Sequence, residues 1–235
     1  MKITLFSTAE HACSYLKNQQ AVSHFVAPQQ QNLPFVYNLL SQQGFRRSGD
    51  HIYQPSCRSC KECIPVRLPV DDFMPSKSQK RCIKKNRRLK MISNNHPEFE
   101  SYMPLYRKYI NSRHTDGDMY PANLEQFKQF LHSSWCETLA LEWYLEEELV
   151  AVAFTDVLAD SLSAIYTIFD PELSRYSLGT FAITQQVEMA KHMHRKYLYL
   201  GFWIKPCRVM SYKGNFRPIE CFQNDHWQRF NKKDA

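Results

Sequence analysis

Residues 138–170 read TLALEWYLEEELVAVAFTDVLADSLSAIYTIFD. Three apolar runs, TLALEWYL, LVAVAFTDVL and LSAIYTIFD, are separated by EEE at 146–148 and ADS at 159–161. Short apolar runs rich in β-branched and aromatic residues, broken by polar turns, predict three consecutive strands. RYSLGT then opens a helix in which Ile183, Val187 and Ala190 fall on one face, and KYLYLGFWI closes the unit as a fourth strand. Three strands, a helix and a strand make a mixed α+β arrangement.

Upstream, LPFVYNLLSQQG (33–44) predicts a short helix, with Pro34 early and Gly44 as its stop. FRRSGDHIYQP alternates around Ser-Gly-Asp as a hairpin does, and IPVRLPV (64–70) reads as a strand. HPEFESYMPLYRKYINSRH (96–114) and NLEQFKQFLHS (123–133) are helical in pattern, the second with Asn123 as cap. No repeat, low-complexity tract or flexible linker interrupts the chain. These readings divide it into a cysteine-containing unit at 1–75, a basic segment at 76–95 and a larger α+β unit at 96–235, the parts packed together.

The 235 residues, 43% apolar and 14% aromatic, suit a folded globular chain with a sizeable core. No run approaches the roughly 18 apolar residues of a membrane span, and polar Ser7, Thr8 and Glu10 arrive too early for a signal peptide. A cytoplasmic protein with no membrane partner is expected. In that reducing compartment the eight cysteines do not form a disulfide framework. Cys82, Cys136, Cys207 and Cys221 stand singly and read as small buried hydrophobes. CRSCKEC (57–63) differs, because thiols at three-residue spacing can fold around one ion. Cys13 is the available fourth ligand, so Cys13, Cys57, Cys60 and Cys63 are the candidate zinc or iron–sulfur site. Reduced structural thiols and a redox-sensitive loop are the alternatives.

The net charge of +7 comes from one place. KSQKRCIKKNRRLK (77–90) holds eight lysines and arginines and no acid, which leaves the remainder near neutral. On a helix, Lys77, Lys80, Arg81, Lys84, Lys85 and Arg88 gather most of that charge on one face. Like charges at this spacing repel, so the segment gains from a polyanion, and nucleic acid is the partner expected. A second anion signal lies at Ser177, Gly179 and Thr180. There a helix start offers free N–H groups and partial positive charge, and a glycine lets a ligand approach. A plain helix cap is the alternative reading.

Following a sheet that ends in Asp170 and preceding a strand containing Gly201, this helix start resembles the N-acyltransferase layout. There the donor's phosphates sit at the helix N-terminus and its acyl group enters a splay in the sheet. HACSYL (11–16), GFRRSGDHIYQPSCRSCKECIPVRLPV (44–70), FMPSKSQKR (73–81), FDPELSRYSLGTFAI (169–183), YLYLGFWI (197–204) and MSYKGNFRPIE (210–220) together resemble the aminoacyl-tRNA–protein transferase family. Length and the CRSCKEC loop are similar to its compact bacterial branch. The longer arginine-transferring branch carries adjacent cysteines where this chain reads Glu62-Cys63.

The resemblance implies a GNAT-like fold in the larger unit, packed against the cysteine-containing subdomain. It implies transfer of leucine from leucyl-tRNA to the α-amine of proteins beginning with Asp or Glu, which marks them for degradation by the N-end rule pathway. No cofactor is required for that chemistry, and a structural or regulatory metal is what the family adds to the cysteines.

An α-amine is mostly protonated at neutral pH, so a proton acceptor is needed. Asp170 is the first candidate, as base or ammonium anchor, with a turn-capping role as the alternative. Tyr212 is the second catalytic candidate. The acceptor's acidic side chain needs a cation, and Lys205, Lys213 and Arg217 follow the last strand, with Arg46, Arg47 and Arg67 as a second set. Tyr166, Ile168, Leu200 and Phe202 of the last two strands offer an apolar pocket for leucine, with simple core packing as the alternative reading. Arginyl transfer, an acyl-coenzyme A N-acyltransferase and a non-catalytic metal-containing RNA-binding protein are the rival readings.

Overall fold

A computed structural model describes residues 2–230. The chain runs through β1 (Leu5–Ser7), the short pair β2 (His11–Ala12) and β3 (Gln20–Ala21), β4 (Ser23–Val26) and α1 (Leu33–Ser41). The hairpin β5 (Arg46–Ser48) and β6 (His51–Pro55) follows, then β7 (Ile64–Pro69), α2 (Lys77–Lys85) and β8 (Lys90–Asn94). Next come α3 (Phe99–Arg113), α4 (Leu124–Leu131), β9 (Thr138–Leu145), β10 (Glu148–Val157) and β11 (Ser161–Phe169). A 3₁₀ turn (Pro171–Tyr176) leads into α5 (Leu178–His192) and β12 (Tyr197–Trp203). The chain then passes through α6 (Arg208–Ser211), a 3₁₀ turn (Tyr212–Asn215), β13 (Glu220–Gln223) and β14 (His226–Arg229). The four strands and helix read from 138–204 are present in that order.

One eight-stranded sheet dominates, in the order β14-β13-β7-β12-β11-β10-β9-β8. Every neighbouring pair is antiparallel except β11 and β12, which α5 joins as a crossover. α5 covers one face. Its Leu178, Phe181 and Ala182 pack on β9 and β10, while Ile183, Val187 and Ala190 pack on β7 and β12. Helices α3 and α4 cover the other face through Phe99, Tyr106, Ile110 and Phe127, against Val152, Phe154 and Ile168. Among the described residues no helix is long and apolar enough to cross a membrane.

The sheet cuts across the boundaries expected from the sequence. IPVRLPV, assigned to the N-terminal unit, is β7 and lies inside the large sheet between β12 and β13. The end of the basic segment is β8, its edge strand. Alternating apolar residues mark a strand, but they do not say which sheet will take it.

A second, four-stranded sheet, β1-β4-β6-β5, belongs to the N-terminal part and is backed by α1. It is tied to the large sheet by a buried ion pair. Arg47 donates from Nε and Nη2 to both carboxylate oxygens of Asp156 on β10, at 2.7 and 2.5 Å, with both side chains wholly buried. Tyr37 and Thr138 hydroxyls also donate to that carboxylate, and Arg47 Nη1 donates to the Gly49 and Leu131 carbonyls. Gly49, at φ +56°, turns the hairpin where an added Cβ would lie 2.3 Å from the Gln129 carbonyl on α4. Only glycine permits that approach.

Candidate active site at the splayed strands

The parallel ladder is short. Ser161, Leu162 and Ser163 of β11 pair with Tyr197, Leu198 and Tyr199 of β12, and there the pairing ends while both strands continue. On its other side β12 shifts register against β7 between Tyr199 and Gly201, and Gly201 takes φ +81°. A bulge reverses the in–out alternation beyond it. Leu200 therefore packs under α5, whereas Phe202 packs on the opposite side with Ile204, Cys207, Tyr53, Cys63 and Leu16. The expected pocket of Tyr166, Ile168, Leu200 and Phe202 is split by this bulge. Tyr166 and Ile168 do share a face, with α3 and α4.

Two cations lie over Gly201. A Cβ built there would sit 3.7 Å from Arg46 Nε and 3.8 Å from Lys213 Nζ. Both residues are about 5% exposed. Arg46 Nη2 donates to the carbonyl of Ala164, 3.1 Å away on β11, the first residue past the end of the ladder. Its Nη1 is buried with no partner. Lys213 donates to the Phe202 carbonyl at 2.7 Å and meets Met210 Sδ at 3.4 Å. Burial, then the charge of Arg46, pulls its pKa from 10.5 down to about 7. Neither side chain pairs with an acid among the described residues.

Tyrosines line the surroundings. Tyr53 stands edge-on to Phe202, with ring centroids 5.9 Å apart. Tyr212 keeps 42% of its surface exposed, yet the protein around it and then the Tyr109 phenol raise its pKa. Tyr15 of the N-terminal part is likewise exposed at its surface, with its pKa raised by desolvation and then by Tyr53. Tyr109 belongs to α3, on the β11 side of the splay, and Tyr212 follows β12 on the other.

The expected cluster of Lys205, Lys213 and Arg217 does not form. Lys205 lies 5.2 and 5.0 Å from the ring centroids of Trp203 and Phe230, and Arg217 lies 5.3 Å over Phe230. Those rings belong to the α5 side of β12, whereas Lys213 belongs to the Phe202 side. Lys205 instead lines a separate pocket of about 330 Å³ with Trp203, Cys221 and Arg229. Arg217 spends one N–H on the carbonyl of its neighbour Phe216, and burial lowers its pKa. Two of the second set of cations are also committed elsewhere: Arg47 to Asp156, and Arg67 to Glu220 at 2.7 Å beneath the rings of Tyr197 and Trp227.

Asp170 caps the turn after β11, accepting from the Glu172 N–H at 2.9 Å, and its other oxygen pairs with Lys108 at 2.9 Å. The turn-capping alternative describes what this carboxylate does here. Ser177 takes a left-handed conformation at φ 52° as α5 begins, and the first backbone bond of the helix runs from Phe181 N–H to the Ser177 carbonyl. The amides of Leu178, Gly179 and Thr180 precede it, as helix starts require. Gly179 is packed: a Cβ there would come 3.2 Å from the Phe169 ring.

The basic segment meets this helix start. α2 opens with a reciprocal cap between Ser76 and Gln79, and Gln79 also donates to the Asn215 carbonyl. Cys82 Sγ and Asn86 Nδ2 reach the Tyr176 carbonyl at 3.5 and 2.8 Å, which docks α2 beside the first turn of α5. Lys77, Lys80, Arg81, Lys84, Lys85, Arg87, Arg88 and Lys90 are all exposed and unpaired with acids among the described residues. Lys85 lies 5.7 Å from the Tyr176 ring. The basic helix and the start of α5 are thus neighbours, on the opposite face of the sheet from Arg46.

Cys13, Cys57, Cys60 and Cys63 are neighbours. Burial, then Cys57, Cys13 and Cys60, pushes the Cys63 thiol up to about 12. Yet among the described residues no three His, Cys, Asp or Glu side chains converge as a metal-holding group. Cys57 Sγ is turned towards the Val22 carbonyl, and Cys13 Sγ accepts from the Tyr15 N–H. The four thiols are gathered but not converged on one point, and a zinc ion or cluster held by Cys13, Cys57, Cys60 and Cys63 would need these side chains to turn towards one another.

Two family models match the chain: the N terminus of arginine-tRNA-protein transferase over residues 11–81, and its C terminus over 101–223. The chain belongs to this transferase family. An aspartate/glutamate leucyltransferase of Marinobacter nauticus is 46% identical to the transferase, covering 96% of this chain and 95% of the other. Proteins of the same name from Saccharophagus degradans and Pseudomonas aeruginosa are 42% and 44% identical, with 97% and 96% of this chain and 98% and 96% of theirs covered. A solved structure of FemX overlays at a TM-score of 0.48 and 6% identity, over 85% of this chain and 79% of that one, a likeness too loose to assign the fold.

Proposed function

We propose that this transferase moves leucine from leucyl-tRNA to the α-amine of proteins beginning with Asp or Glu. The observation that carries the reading is the asymmetry of the splayed strands. A basic helix and a helix start lie on one face, suited to tRNA phosphates, while the Arg46 guanidinium and the Lys213 amine, both buried and without an acidic partner among the described residues, lie over Gly201 on the other. The parallel strands parting beside a crossover helix fit the GNAT-like layout that the sequence resembles. The names carried by full-length relatives at 42–46% identity support leucine as the group transferred and acidic N-termini as the acceptors.

In the reaction the amine nitrogen forms a bond to the ester carbonyl carbon, and the bond from that carbon to the ribose oxygen breaks. The ammonium must first lose a proton, and the leaving oxygen must gain one. Lys213 is our candidate for the base. With burial and Arg46 lowering its pKa to about 7, Lys213 can give up a proton and offer a lone pair while one N–H remains on Phe202. Tyr212, whose raised pKa keeps its phenol protonated, is our candidate donor to the leaving oxygen. Asp170 would have to surrender both its turn and Lys108 to act, so we assign it to positioning the approach to α5. No covalent enzyme intermediate is needed when an amine attacks an ester.

The test supplies labelled leucyl-tRNA, arginyl-tRNA or acetyl-coenzyme A with a peptide beginning with Asp. Label from leucyl-tRNA alone should appear at the peptide's N-terminus. Transfer from acetyl-coenzyme A would favour the ordinary N-acyltransferase reading, which leaves the basic helix without a use.

A further inference from the structure

Among the described residues three arginines are buried: Arg46, Arg47 and Arg67, at 5%, 2% and 8% exposure. Arg47 holds the Asp156 carboxylate and Arg67 holds that of Glu220. Arg46 holds none; one nitrogen spends a bond on Ala164, and Nη1 is left with nothing. A buried lysine can escape such a position by losing its proton, but a guanidinium stays charged. An unpaired buried charge is strongly unfavourable and calls for an anion.

Resting on the leucyl-transfer reading, we infer that Arg46 is the acceptor-specificity residue: its guanidinium, charged and with Nη1 unpartnered, binds the side-chain carboxylate of the incoming Asp or Glu. Three observations support a carboxylate over a tRNA phosphate. The free nitrogen belongs to a planar fork, which matches two carboxylate oxygens. The site lies across the sheet from the exposed basic surface of α2 and α5. Finally, Arg46 and Lys213 approach the same space over Gly201, at 3.7 and 3.8 Å from one point. In an N-terminal Asp the α-nitrogen and the side-chain carboxyl carbon are three bonds apart. One acceptor residue can therefore set its carboxylate on Arg46 and its amine beside Lys213. An Asn side chain offers the fork an amide without charge, so discrimination against it follows.

The experiment measures binding as well as transfer. Asp-Ala and Asn-Ala dipeptides are titrated by calorimetry into unaltered protein and into Arg46→Met and Arg46→Lys, with leucyl-tRNA binding followed in parallel. In unaltered protein Asp-Ala is expected to bind at least tenfold more tightly than Asn-Ala. Arg46→Met should abolish that preference, lower transfer to Asp-starting peptides roughly ten- to a hundredfold and leave leucyl-tRNA binding unchanged. Arg46→Lys, which keeps charge but loses the fork, should fall between and serves if the methionine variant does not fold. An undiminished Asp-over-Asn preference in the folded variants overturns the inference. So does a selective loss of leucyl-tRNA binding, which would make the anion a phosphate. If unaltered protein transfers no leucine, the reaction reading fails, while the dipeptide preference still decides the role of Arg46.

Discussion

Arg46 and Arg47 are adjacent on β5 and send their guanidiniums to opposite destinations. Arg47 closes on both oxygens of Asp156, whereas Arg46 rests on the Ala164 carbonyl with one nitrogen unpaired. Removing one partner of a buried ion pair leaves the other charge stranded and costs about 3–5 kcal/mol. Arg47→Met should destabilise the fold by that order in urea denaturation, while Arg46→Met, which strands no carboxylate, should leave stability near or above that of the unaltered protein. Equal losses from the two variants would contradict this division of labour.

The basic helix should act on tRNA alone. Lys80, Arg81, Lys84 and Lys85 replaced together by alanine should weaken tRNA binding and flatten its salt dependence, by about 0.7–0.9 of a unit in log–log slope for each phosphate no longer neutralised. Acceptor-peptide binding should hardly change. Unchanged tRNA affinity in this variant would mean that the basic face is merely solvated.

Lys213 makes stability depend on pH in a definite direction. Its pKa falls from 10.5 to about 7 on folding, so between those values the unfolded chain binds more protons than the folded one. Stability from this residue therefore rises with pH across that window, by up to about 1.4 kcal/mol per pH unit. The burden of the buried ammonium is greatest below the folded value and gone above the unfolded one. Lys213→Met should lack this rising component, so its stability profile should be flatter than that of the unaltered protein over the window. Parallel profiles would show that Lys213 is charged in the fold.

Gly201 combines a positive φ with the space beneath two cations. Gly201→Ala should cost about 1–2 kcal/mol from backbone strain alone. It should also reduce acceptor-peptide binding, because the methyl group occupies the approach to Arg46 and Lys213. A variant that loses stability but keeps full peptide affinity would remove that space from the site.

Much of this was legible in the sequence. Strands and helix at 138–204 follow from periodicity, and the acid-free run at 77–90 is the exposed basic surface that its composition indicates. The fate of single polar residues was not legible. FRRSGD shows two arginines on a strand, and alternation says they face apart, but only tertiary packing reveals that Asp156, 109 residues away, waits for one of them. Gly201 was visible, whereas the bulge that separates Leu200 from Phe202 depends on pairing with β7. Proximity in sequence likewise suggested that Lys205, Lys213 and Arg217 would cluster, yet β12 comes between them. The cysteine spacing drew attention to four thiols that do gather, with Cys13, Cys57 and Cys60 around Cys63.

The most direct test of the central claim is competitive transfer among peptides differing only in their first residue, with leucyl-tRNA and arginyl-tRNA supplied in parallel. The account predicts leucine at the N-termini of the Asp and Glu peptides and little on those beginning with Asn, Gln or Ala. Arginine in place of leucine, or equal transfer to the Ala peptide, would contradict it.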